Sequence, residues 1–324
     1  MFVNLDEAIK LIHEGRILHI AADESLLSQL PKGKWIAGTT PYFITDQGGI
    51  TSKDKLFVNE IACAVDYKTV VYDKNNILNI TKDAYPNGLT FLVLPFASDV
   101  AVFYAKEAPY SNDIFMYPIV GWISGFDLST GSNAKVFDGV TGTSYNDKAI
   151  ALHICLPDDK MASLGIVNIF SIDENDVKIE FSEDTLSVTK CLVNGKEVIL
   201  SDYIAENNID TQLPLVADYN GVLINVSIKS ISAKDKKVDF YAPVFAGKEY
   251  RFARAVRDYA ASFNEQLQNF KDVKPVFSCN CILNYLYGKL EGKATPPFAG
   301  PVTFGEVAYQ LLNQTLVYAE IINR

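Results

Sequence analysis

The chain predicts an α+β fold, mixed sheets covered by helices, in two similar-sized halves that are either separate or intertwined. Three observations predict it. A length of 324 residues exceeds what one hydrophobic core usually serves. Runs such as FLVLPF, VAVFY, AIALHIC and GIVNIF are apolar throughout rather than alternating, the mark of strands covered on both faces. Helical spacing frames them at the start of the chain and again around residues 256–270. The division falls at about residue 182, giving halves of 1–182 and 183–324.

Taken in order, Asn4 is a fitting N-cap with Glu7 three residues on, and Gly15 follows the last apolar position, so the first element is a capped helix. RILHIAA reads as a strand, and Asp23 caps a short helix over ESLLSQL. KWIAGTTPYFI is a buried strand that breaks at Thr39-Thr40-Pro41. From about Lys55 to Phe181 the pattern is mostly strands. The stretch GWISGFDLSTGSNAKVFDGVTGTSYND reads as a long polar connection. The second half opens with two β-type runs around Asn194-Gly195, a hairpin signal, then a short helix over SDYIAEN. VLINVSI and VDFYAPVF are strands, and ARAVRDYAASFNEQLQNF is an amphipathic helix. KPVF is expected to run through Ser278 as N-cap into a helix CNCILNYLYGKL. Pro301 to Glu306 is expected to open a last helix reaching about Ile321, with Thr303 and Glu306 at capping-box spacing.

Composition narrows the function. Hydrophobic residues make up 48% of the chain, ample for a core, while a net charge of -10 and no run of basic residues argue against a nucleic-acid partner. The first twenty residues lack the pattern of a secretory signal, and the longest apolar runs are broken by Pro95 and Asp99, so a cytoplasmic protein without membrane insertion is expected. Five cysteines without paired zinc spacing fit reduced thiols better than disulfides or a metal.

No GxSxG, HExxH, EF-hand or kinase signature is present, and no cofactor is expected. His13, His19 and His153 are isolated, and in apolar strands such residues are usually hydrogen-bonded core groups. Cys279 has two readings. At the first turn of a helix after Ser278 it would meet free N–H groups and the positive end of the helix dipole, favouring a thiolate or a bound anion; otherwise it is a small core residue. Glu306 either meets a ligand amine or completes the cap begun by Thr303. Thr39 and Thr40 offer hydroxyls after a strand end, where open sheets bind ligands, or form a plain turn.

FSCNCILNYLYG followed by AGPVTFGEVAYQLLN resembles the closing motif of the C-terminal domain of the FIST family of bacterial intracellular sensory domains. The matching residues are Ser278, Cys279, Phe304, Gly305 and Glu306. VTKCLVNGKEVILSDYIAEN, LPLVADYNGVLINVSIKSI and VDFYAPVFAGKEYRFARAV are similar to its earlier segments, so the resemblance covers most of 183–324. KWIAGTTPYFITDQGG is similar to its N-terminal strand and loop, with Ala37-Gly38-Thr39-Thr40 in place of a cysteine-containing loop, and Asn280-Cys281 stands where the family has Gly-Arg. The resemblance implies a sensory domain for small ligands, amino acids among them, without established catalysis, signalling here through a separate partner. A pocket formed by Thr39, Thr40, Ser278, Cys279, Asn280 and Glu306 is the binding site this reading expects. The alternatives are an enzyme with Cys279 as nucleophile, for which no base lies nearby in sequence, and an interaction scaffold without ligand.

Overall fold

The computed structural model describes residues 1–131, 133–172, 177–219, 221–256 and 258–324. The first helix, Leu5–His13, forms as its caps require: the Asn4 side chain accepts from the Glu7 N–H and the Glu7 carboxylate accepts from the Asn4 N–H. Asp23 caps Glu24–Leu27 through the Ser25 N–H. Sheet predominates over helix, and the sheets are mixed, in keeping with the α+β expectation.

Three parallel strand pairs organise the core, each joined by a crossover that contains a short helix. Leu18–Ala22 runs parallel to Trp35–Thr39 across Glu24–Leu27, and Gly88–Pro95 runs parallel to Ile119–Ser124 across Asp99–Glu107. Phe277–Cys281 runs parallel to Gly300–Thr303 across Ile282–Tyr287. The sheets around the second and third of these pairs draw strands from both sides of residue 182. One six-stranded sheet places Glu306–Ala308 beside Ile119–Ser124, with Gly88–Pro95, Ala149–Cys155 and Asp66–Tyr72 beyond. Another runs Lys160–Val167, Leu316–Asn323, Phe277–Cys281, Gly300–Thr303, Tyr42–Thr45, Gly48–Thr51. Trp35, Trp122, Phe43, Phe91 and Phe277 are all buried between the layers.

Four expected elements differ. VAVFY lies in the helix Asp99–Glu107, started by Ser98, whose hydroxyl accepts from the Ala101 N–H. GWIS is no polar connection: Ile119–Ser124 is a core strand buried at every position. Phe277–Cys281 stays extended past Ser278, and the helix begins only at Ile282, so Ser278 caps nothing and Cys279 is not in a helical turn. The expected last helix is strand instead, as Gly300–Thr303, Glu306–Ala308, Gln310–Leu312 and Leu316–Asn323, with sharp turns where Tyr309 and Gln314 take φ of 62° and 57°. The Asn194-Gly195 hairpin forms as read, joining Lys190–Val193 to Lys196–Ile199 with positive φ at both turn residues. The amphipathic helix is shorter than expected, Tyr259–Gln268 with Asp258 as its cap. Arg257 and Ser132, which fall within the expected long helix and polar connection, lie outside the described residues.

Candidate functional site

The strand Phe277–Cys281 sends alternate side chains to opposite faces. Cys279 and Cys281 share one face, Ser278 and Asn280 the other. Most of the residues singled out from sequence meet around this strand. Thr40 donates its hydroxyl to Val302 O at 2.7 Å, and Ser278 donates to Ala299 O at 2.9 Å. Thr39 lies further along, donating to Gly125 O at 2.7 Å. Glu306 follows Thr303 across a tight turn and accepts from the Thr315 N–H at 3.1 Å, the Thr315 hydroxyl at 2.8 Å and the Thr303 hydroxyl at 3.3 Å.

All six candidates are buried, and the three hydroxyls among them donate to backbone carbonyls. The void beside Ser278, Asn280 and Thr295 measures about 10 Å³, room for one water at most. Among the described residues the Asn280 Nδ2 amide finds no partner, while its Oδ1 accepts from Asn284 at 2.8 Å. From Asn284 the hydrogen bonds continue to Tyr259 at 2.5 Å, Gln314 at 3.1 Å and Ser227 at 2.6 Å, a polar spine through the middle of the molecule.

The electrostatics follow from burial. The Cys279 thiol is pushed well up by burial and then by the nearby Glu306 carboxyl, and it contacts Gly121 O at 3.4 Å. That is the setting of an inert core thiol and not of a nucleophile, and the helix terminus that would have activated it lies three residues further on. Burial also raises the Glu306 carboxyl to about 8, against four hydrogen bonds that lower it. His19 accepts from the Trp122 indole N–H at 2.8 Å, and His153 sits between the Tyr72 and Thr90 hydroxyls at 3.0 and 2.9 Å, both rings held neutral by burial. Among the described residues no group of three or more His, Cys, Asp or Glu is placed to hold a metal ion, and no helix is long and apolar enough to cross a membrane.

Ligand-sized space lies elsewhere, and one cleft of about 420 Å³ lies beside Phe181, Glu183 and Lys190. A larger cleft of about 510 Å³ opens between the first half and the segment leading into Phe277–Cys281, with Phe2, Pro275 and Pro297 among its walls and Thr45, Asp46, Asn59, Glu60 and Met1, whose ammonium donates to Val58 O at 2.7 Å, among its polar residues. Glu60 is held by Arg16 at 2.9 Å. No Lys or Arg lines the cleft.

A family model matches residues 3–322, nearly the whole chain. The chain belongs to DUF6976, a family of unknown function. A search of curated proteins finds no match. Sequence reasoning about this DUF6976 member passed over Thr315, Asn284 and Gln314, because their roles arise only when Leu316–Asn323 returns beside Phe277–Cys281. The cleft residues come from strands and turns more than two hundred residues apart, which no local sequence pattern brings together.

Proposed function

We propose that this chain is a cytoplasmic sensory protein that binds a small polar metabolite bearing an amine, an amino acid among the candidates, and signals through a separate partner. The observation that carries the reading is the cleft of about 510 Å³, a volume within the usual range for small-ligand sites. It is contributed by both halves, so a bound ligand would touch each of them. Asp46, whose charge also reaches the Met1 ammonium, suits an ammonium group, Asn59 supplies an amide, and Phe2 with the prolines gives the apolar walls. The resemblance to the FIST family supports the same class of function. Part of the cleft falls within the segments that carry that resemblance, through Thr45, Asp46 and Ala299, and Ala299 O accepts the Ser278 hydroxyl at 2.9 Å.

A thermal-shift screen of amino acids, amines, nucleotides and central metabolites tests it. A ligand at 100 times its dissociation constant stabilises the protein by about 2.7 kcal/mol. Asp46→Asn and Asn59→Ala should weaken the hit at least tenfold. A panel with no hit, or a hit indifferent to both substitutions, would refute this site.

A further inference from the structure

Glu306 is fully buried and takes part in no ion pair among the described residues. Every group that bonds it is neutral: the Thr315 N–H and hydroxyl, the Thr303 hydroxyl and the Cys281 thiol. Neutral donors do not replace the hydration of a bare charge in a dry core, so the proton stays on the carboxyl. Its neighbours offer no counter-charge. Cys279, Cys281 and Tyr259 are the titratable groups that face it, all kept neutral by burial, and the strands paired with its own place Trp122 and Leu312 opposite and beside it.

The geometry also couples the proton to a hydrogen-bond choice. The Thr303 hydroxyl lies 3.3 Å from Glu306 Oε1 and 3.3 Å from Asn280 O, and it has one proton to give. With Glu306 protonated, the carboxyl donates to Thr303 and Thr303 donates to Asn280. With Glu306 ionised, Thr303 must turn its proton to the carboxylate and release Asn280. The four groups sit where four strands meet: Cys281 ends Phe277–Cys281, Thr303 ends Gly300–Thr303, Glu306 begins Glu306–Ala308 and Thr315 precedes Leu316–Asn323. Gly300–Thr303 pairs with Tyr42–Thr45, and Glu306–Ala308 pairs with Ile119–Ser124, so this junction joins the two halves.

We propose that the Glu306 carboxyl is a proton-operated latch on this junction: protonated, it closes the four strands on one another, and opening the junction releases one proton to solvent. The sign follows from linkage. A carboxyl raised to about 8 in the closed state, against about 4.5 when exposed, stabilises closure fully below pH 4.5, and that stabilisation is lost as pH rises toward 8. Between pH 6.5 and 8 the buried histidines, whose folded values lie near 3 and 4, no longer contribute.

The test is amide hydrogen exchange at 300–319, taken as a ratio to the amides of Leu5–His13 so that the intrinsic pH dependence of exchange cancels. In the wild type, protection of 300–319 should fall about tenfold per pH unit from pH 6.5 to 7.5 and level off above about pH 8. In Glu306→Gln, which keeps the shape and cannot ionise, it should be flat. Equal slopes in both proteins would overturn the latch. Should Glu306→Gln fail to fold, infrared spectroscopy of the wild type decides: a protonated carboxyl stretching band present at pH 6 and fading toward pH 9 supports it, and its absence at pH 6 overturns it.

Discussion

His19 is the second residue of Leu18–Ala22 and has no exposed surface, its ring 5.6 Å from Phe91 and 5.1 Å from Phe277. Its one strong bond is accepted from Trp122, so the substitution His19→Phe would keep the packing and leave an indole N–H unpaired in the core. A loss of about 1–3 kcal/mol in urea unfolding is expected. The pH dependence has a fixed sign. Burial lowers His19 to about 3 and His153 to about 4, below their unfolded values, so both stabilise the fold above pH 6.5, and this is lost as pH falls toward 3. His19→Phe should make the acid limb of the stability profile shallower by one group. That these histidines are core groups was legible in the sequence from their apolar flanks alone. The partners were not, since Trp122 is about a hundred residues away and sits in a stretch that reads as polar loop.

At the scale of elements, the strands Gly88–Pro95 and Ile119–Ser124 approach so closely that a Cβ on Gly121 would lie 1.8 Å from Leu92 O. Backbone, unlike a flexible side chain, does not yield at that distance. Gly121→Ala should destabilise the protein by about 3 kcal/mol or more, read by thermal unfolding, or leave it insoluble. Capped helices and the Asn194-Gly195 hairpin were readable because their signals are local: a hydroxyl or carboxylate on a free N–H, and a residue pair that tolerates positive φ. VAVFY and residues 301–321 were misread because an apolar run without polar alternation has no period to distinguish helix from strand. In the first, Ser98 and Asp99 were the available sign of a helix start. In the second, the spacing of Val307, Leu311 and Leu312 imitates a helix, and pairing with Ile119–Ser124 outweighs it.

Over the whole molecule, the halves share sheets rather than an interface. Tyr42–Thr45 pairs with Gly300–Thr303, Ile119–Ser124 with Glu306–Ala308 and Lys160–Val167 with Leu316–Asn323. Unfolding should therefore be a single transition, with circular dichroism and tryptophan fluorescence superimposing, and fragments 1–182 and 183–324 should not fold when made apart. Two separate transitions would contradict this. Length and composition set the class of fold, but a sheet assembled from distant strands leaves no trace in either half alone.

The pairing of Ile119–Ser124 with Glu306–Ala308 has a consequence in time. At about 5–20 residues per second, the ribosome leaves the earlier strand without this neighbour for roughly 10–40 seconds. Throughout that interval the edge of a strand built to be buried waits unpaired, so the nascent chain should engage holding chaperones, and its yield should depend on how fast the closing strands are delivered.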